Sequence, residues 1–427
     1  MAVRAEPGKQ FPPTEDSTPI TGGPSDLSDA QVATAFGLLA VTTFCTSISM
    51  QITQATQPSF LRDVIGMDGA QNGYLIAIRE MPGFLLIFVA AVLLRLGLAR
   101  AAALSLVIMG FGYSLMSLTG TFDQLILPTL IASVGFHSWL QLQPALGLSI
   151  ARRGEEGSTL GRLNSIGFLG SFITLVAVFL LLLGVEHFKG DLRTYQEPYL
   201  RGLFIFVGIA GVIGALTVFR FPISMSDLAA ARVAPKVVWR REYRLYYALS
   251  FLDGSRQQIY FAFAPFVLVE EFRVDARSIT LLLIVSAILN WRTGAFVGRM
   301  VDVHGEKRIL TIAYALHFVV FLGFAFSSSV WMLYLFYLGY LWLFLFYVGN
   351  TTYLRKIAHR DDIPASLAMG VSLAHLTAIV VPIIGAALWT RLGYQFPFLF
   401  GTVFCVLSLY LTQKIDIPGQ RIANQSE

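Results

Sequence analysis

The chain has 427 residues, of which 55% are hydrophobic and 13% charged, about half the roughly 25% charge of a soluble domain. Water is therefore not its main solvent, and a soluble globular enzyme is excluded on composition alone. The formal net charge of +5 is small and sits mostly on loops, which leaves a nucleic-acid partner little to explain.

Residues 1–29 are rich in Pro, Gly, Ser, Thr and Asp, with Phe11 as their one aromatic, and are expected to be a disordered tail. The first apolar block follows this tail and is long enough to span, which argues against a cleaved signal peptide. Blocks of about twenty apolar residues, the length a helix needs to cross some 30 Å of hydrocarbon, then recur along the chain. Spans are expected near 33–57, 70–95, 101–120, 122–149, 163–184 and 202–219, then near 242–269, 278–299, 308–328, 330–355, 363–389 and 394–413. The reading is an all-α membrane protein of twelve transmembrane helices. A β-barrel is excluded because the blocks are continuously apolar and lack the alternation of a lipid-facing strand.

In span 1, Ser47, Gln51, Gln54 and Pro58 form a polar stripe at helical spacing. Arg79 and Glu80 lie near mid-depth in span 2. Span 4 carries His137, Gln141 and Pro144. A basic stretch at 220–241, containing Pro235, reads as a linker between a bundle at 30–219 and a second at 242–413, with a tail at 414–427. Span 7 is the most polar: Asp253, Arg256, Gln257 and Tyr260 follow the i, i+3, i+4, i+7 pattern, which demands water or a polar cavity. Arg292 sits in span 8 close to Asn290, and span 10 offers Tyr347 and Asn350 beyond an aromatic run. Cys45 and Cys405 lie inside spans and read as small apolar fillers, so neither a disulfide nor a metal site is expected.

Loops after even-numbered spans carry 17 Arg and Lys, against 7 after odd-numbered spans. This positive-inside bias places both termini and the linker in the cytoplasm, with the chain in the cell's inner membrane. An internal repeat supports two halves. One offset of 207 residues aligns Phe44, Gln51, Ile52, Ala55 and Pro58 with Phe251, Gln258, Ile259, Ala262 and Pro265. Far downstream it aligns Ile150, Ala151, Arg153, Leu160 and Ser165 with Ile357, Ala358, Arg360, Leu367 and Ser372.

The loop between spans 8 and 9 holds Gly298, Asp302, Gly305, Lys307 and Arg308. Over nearly its whole length the chain resembles the major facilitator superfamily, and this loop resembles that family's signature. The resemblance implies two pseudo-symmetric six-helix bundles, a central pathway lined by spans 1, 4, 7 and 10, and a loop that acts as a conformational latch. Asp302 would then face a neighbouring helix start, for which Asp362 and Pro364 are suitable. In the first half Leu94 stands where the acid would be, 208 residues earlier, beside Arg95, Gly97 and Arg100.

A charge at the centre of a bilayer helix costs about 2.5–3.5 kcal/mol and asks for a partner or a function. The expected substrate contacts are Gln51, Gln54, Arg79, His137, Gln141, Arg256, Gln257, Tyr260, Arg292, Tyr347 and Asn350, with Glu80 and Asp253 as proton-coupling acids. Three intramembrane arginines against two carboxylates lean toward an organic anion or zwitterion. Should each arginine be neutralised by its neighbouring acid, a sugar or an amphipathic solute would fit equally. His317 and His375 read as hydrogen-bonding core residues. No phosphate-binding loop, zinc helix or nucleophile elbow is present in the sequence, so no enzyme and no cofactor are expected. The reading is a monomeric, proton-coupled secondary transporter of a small solute. A multidrug or lipid carrier, or a non-transporting receptor on the same scaffold, are the alternatives.

Overall fold

The computed structural model describes residues 28–84, 96–152, 155–222, 239–359 and 362–417. Most of the expected tails, the body of the linker, and Leu94, Arg95, Arg153 and Arg360 lie outside the described residues. Everything described is helix, turn or loop. The first half contains α1 (Asp29–Ser59, ending in a π-helical turn, Phe60–Val64), α2 (Gly69–Phe84), α3 (Leu98–Met116), α4 (Phe122–Ser149), α5 (Glu156–Lys189) and α6 (Glu197–Phe219). The second contains α7 (Arg244–Glu270), α8 (Ala276–His304), α9 (Glu306–Phe326), α10 (Val330–Ile357), α11 (Ile363–Leu392) and α12 (Gln395–Thr412).

Among the described residues, ten of these helices are long and apolar enough to cross a membrane. The exceptions fall at the expected spans 2 and 7. The described part of α2 is 16 residues, and α7 carries Asp253, Arg256, Gln257 and Gln258 in its middle. Several helices outrun the apolar blocks by a turn or two, because polar residues beyond the hydrocarbon still propagate a helix whose ends are capped. Ser28 and Gln31 form a capping box on α1, and Asp275 accepts from Ser278 N at 2.7 Å to start α8. Inside α10 a 3₁₀ turn, Phe344–Tyr347, interrupts the α-helix.

The first half is held by close backbone approach. A Cβ on Gly112 of α3 would lie 2.2 Å from the Ala132 nitrogen of α4, and one on Gly135 would lie 2.3 Å from the Met109 nitrogen. Small residues let helices meet where burying apolar surface from lipid gives little drive. The second half interlocks through rings instead. Tyr260 stacks on Tyr340 with centroids 3.6 Å apart, and Phe324 stacks on Phe398 at 4.9 Å.

The halves meet mainly through α2 against α11 and α7, α5 against α8, and α1 against α8. At the face bearing the odd-numbered loops, a Cβ on Gly69 would sit 2.2 Å from the Trp389 ring, and one on Gly73 would sit 2.9 Å from Ala386 Cβ. Asn72 Nδ2 donates to the Ala262 carbonyl at 2.5 Å, Arg62 pairs with Glu270 at 3.5 Å, and Arg277 pairs with Glu186. Arg193 binds Asp63 within the first half, and it also reaches the Val269 carbonyl of the second. Among the described residues, the hydrogen bonds and ion pairs that join the halves all lie at this face or at the level of Glu80.

Candidate functional site

Two charged clusters and one cavity occupy the middle of the bundle. On α7, one helical turn separates Asp253 from Arg256, and the two form an ion pair. Arg256, 2% exposed, also donates to Ser408 Oγ and to the Phe404 carbonyl, and lies 4.3 Å from the centroid of the Tyr314 ring. Asp253 in turn accepts from the Tyr314 hydroxyl and from Asn350 Nδ2, each at 3.4 Å. Beside it a cavity of about 30 Å³ is lined by Asp253, Arg256, Gln257, Tyr314 and Tyr347, enough for a water or two. All of these groups belong to the second half.

The second cluster joins the halves. Arg79 binds Glu80 Oε1 at 2.8 Å through its Nη2. The other carboxylate oxygen, Oε2, stands 3.4 Å from His137 Nε2 of α4 and 3.6 Å from His375 Nδ1 of α11. Ser133 donates to the Arg79 carbonyl, and its own Oγ and carbonyl oxygen each lie 3.0 Å from His137 Nδ1. Gly83, one turn beyond Glu80, makes room for the imidazole, since a Cβ there would come within 2.6 Å of the His137 ring.

A cavity of about 250 Å³ in the first half lies between α1, α4 and α5 and is lined by Ser47, Gln51, Gln143 and Asn164 together with Phe136 and Trp139. Gln143 donates to Thr43 Oγ1 at 3.1 Å. Gln54 and Gln141 are exposed, without a bonded protein partner among the described residues.

The expected residues thus fall into groups. Arg79, Glu80 and His137 come together, as do Asp253, Arg256, Gln257, Tyr347 and Asn350, and Gln51 lines the α1–α4–α5 cavity. Tyr260 lies apart from them: it is fully buried, and its hydroxyl donates to the Tyr337 carbonyl at 2.8 Å. Arg292 is exposed, 5.9 Å from the ring of its neighbour Trp291. His317 bonds the Ala313 carbonyl at 2.7 Å, a core role. His375 was not among the expected site residues. Its partners lie on helices far away in sequence, and the signal that could have found it is the need of a buried Glu80 for compensating groups.

In the signature loop Gly305 takes φ +77°, turning the chain between α8 and α9. Lys307 Nζ donates to the Gln413 carbonyl at 2.8 Å, and Arg308 is exposed. Asp302 is exposed and has no bonded partner among the described residues, and Asp362, at the helix start it was expected to face, binds Arg240 at 2.7 Å. The buried acid of this loop is Glu306, paired with Lys356 of α10 at 2.6 Å. A Cβ on Gly298 would meet open space. These groups are not clasped against the other half, in keeping with a structure joined at the opposite face.

The family pattern described as Major Facilitator Superfamily matches residues 245–421, and the fold is similar to that of solved transporters that cover 89% and 90% of the chain. The second half of the chain thus resembles the major facilitator superfamily in sequence. Among solved major facilitator structures, the nucleoside transporter NupG superposes with a TM-score of 0.69 at 14% identity, covering 89% of this chain and 98% of NupG. The xylose transporter XylE from E. coli, in a partially occluded inward-open conformation, gives 0.65 at 11% identity, covering 90% and 98%. In sequence, the chain is 29% identical over 112 residues to an uncharacterized MFS-type transporter of Methanocaldococcus jannaschii, a stretch that spans 26% of this chain and 28% of that relative.

Proposed function

We propose that the chain is a proton-coupled secondary transporter that carries a small polar solute across the inner membrane by alternating access, acting as a monomer with both termini cytoplasmic. The observation that supports this reading is an asymmetry. The halves are bonded together at the odd-loop face and at Glu80, and beneath that seam lie polar groups that no soluble core would need. With the basic loops cytoplasmic, this arrangement is an inward-facing carrier.

The solute is defined by what the charges already do. Arg79 is matched by Glu80 and Arg256 by Asp253, so the surplus positive charge that would favour an anion is largely removed. Recognition then falls to amides and hydroxyls such as Gln51, Gln143, Gln257 and Tyr347, a set that suits a hydroxylated or zwitterionic solute. Solved neighbours named for nucleoside and xylose transport handle solutes of this kind. An organic anion is the second reading, favoured by Arg79, whose side chain keeps 34% of its surface exposed.

Of the two candidate acids, Asp253 has the arrangement that coupling requires. A proton placed on it would break the pair with Arg256 and free a guanidinium for the solute. Proteoliposomes should be screened with nucleosides, pentoses, amino acids and organic anions under a pH gradient. The solute that accumulates should do so in wild type and fail to accumulate in Asp253→Asn, which retains counterflow. Accumulation unchanged when the gradient is collapsed would overturn proton coupling. If no polar solute accumulates, an amphipathic or lipid solute, or a receptor role, takes its place.

A further inference from the structure

We propose that Glu80, His137 and His375 form a transition-metal site, best fitted to Zn²⁺, that is assembled only while the two halves are closed as they are here. The argument starts from a proton count. The single hydroxyl hydrogen of Ser133 is donated to the Arg79 carbonyl, so the Ser133 Oγ can only accept from His137 Nδ1, as can the Ser133 carbonyl. Nδ1 therefore carries a hydrogen, and in a neutral imidazole the lone pair sits on Nε2. That lone pair faces Glu80 Oε2, itself an acceptor, at 3.4 Å. Two acceptors aimed at each other need a cation between them.

The spacing is that of a metal rather than of hydrogen bonds. Zinc binds His nitrogen and carboxylate oxygen at about 2.0–2.2 Å, so two ligands of a tetrahedral site stand roughly 3.3–3.5 Å apart. The Oε2 to nitrogen distances are 3.4 and 3.6 Å, longer than good hydrogen bonds, and the three ligand atoms lie within 4.8 Å of one another. The outer contacts are in place as well: Ser133 orients His137, and Arg79 holds the remaining oxygen of Glu80. The guanidinium opposes a cation, but its partial exposure lets water screen it. His375, 27% exposed, leaves a fourth position for water. No sequence motif announces the site, because its ligands come from α2, α4 and α11.

Since α11 belongs to the other half, parting the halves would dismantle the site. Zn²⁺ should therefore bind the closed seam and hold it. The test needs no solute, so its failure would leave the transport reading standing. Isothermal titration of the full-length protein in detergent with Zn²⁺, and with Mg²⁺ as the hard-cation control, should show one Zn²⁺ site and no Mg²⁺ site. His375→Ala removes a partly exposed ligand and should weaken Zn²⁺ by more than the roughly 10- to 100-fold that loss of an outer partner costs, and His375→Cys should restore binding. Spin labels on Lys189→Cys and Glu271→Cys should report a narrower distance distribution with Zn²⁺ in wild type and no change in His375→Ala. Zn²⁺ binding equal in wild type, His375→Ala and Glu80→Gln, or no binding at all, would overturn the site and leave a doubly protonated His137 as the cation.

Discussion

The two arginine–carboxylate pairs use the same chemistry in opposite architectures. Asp253 and Arg256 lie on one helix and, among the described residues, draw their further hydrogen-bond partners from the same half, including Ser408, Tyr314 and Asn350. Glu80 draws on both halves, with Arg79 beside it, His137 on α4 and His375 on α11. In the proposed cycle the first unit would ride through a rocking motion intact, changing only by protonation or solute binding. The second must lose a partner when the halves part. In the proposed carrier the first would respond to cargo, and the second would favour the closed state in which its partners meet.

The largest effect should come from breaking the self-contained pair. Arg256→Ala leaves Asp253 buried without its cation, and removing one partner of a buried pair destabilises by about 3–5 kcal/mol. A fall in thermal midpoint in detergent, reversed largely by the double variant Arg256→Ala with Asp253→Asn, is expected. If the single variant melted like wild type, the pair would not be the closed unit described. His375→Ala should leave the melting temperature within the small range of a surface change, because its ring is partly exposed and no hydrogen bond shorter than 3.5 Å joins it to Glu80.

These contrasts were unevenly legible in the sequence. The helices and the polar stripe of α7 could be read because apolar length and helical period are local properties. Neighbouring charges such as Arg79 with Glu80, or Asp253 with Arg256, could be paired on paper for the same reason. Tyr260 belongs to the same stripe by spacing, yet one backbone carbonyl satisfies its hydroxyl and lets the ring stack on Tyr340 in the core. Helical period cannot tell a lining tyrosine from a stacked one. His375 was beyond local reading because its relation to Glu80 exists only once the two halves have docked. Asp302 was read from the family's latch, and the latch depends on which face of the molecule is closed.

A further prediction acts on the seam that assembles the Glu80 cluster. Gly73→Val should wedge α2 from α11, since even one Cβ there would lie 2.9 Å from Ala386 Cβ and 3.0 Å from the Phe263 ring. Overpacking of this kind costs about 1–3 kcal/mol, which is roughly a 5- to 150-fold change in the ratio of two states. The 189–271 label pair should broaden toward longer distances, while the Asp253–Arg256 unit, and with it the melting behaviour of the second half, stays put. An unchanged distance distribution would mean that the seam does not control the state.

The smallest effect should come from the rim. Arg62 and Glu270 pair across the halves at 3.5 Å with side chains 25% and 12% exposed, and Arg62 also donates to the Met67 carbonyl at 3.0 Å within its own half. Because that second bond persists in either state, the guanidinium is already positioned and gains only the increment of meeting Glu270. Pairs this accessible contribute about 0.2–1 kcal/mol and are screened by salt. Glu270→Gln should therefore move the label distribution slightly at low ionic strength and not at all in high salt, whereas Gly73→Val should be indifferent to salt. A salt-independent shift for Glu270→Gln as large as that of Gly73→Val would place the energy of closure in the charges at the rim instead of in the packing of glycines against Trp389 and Phe263.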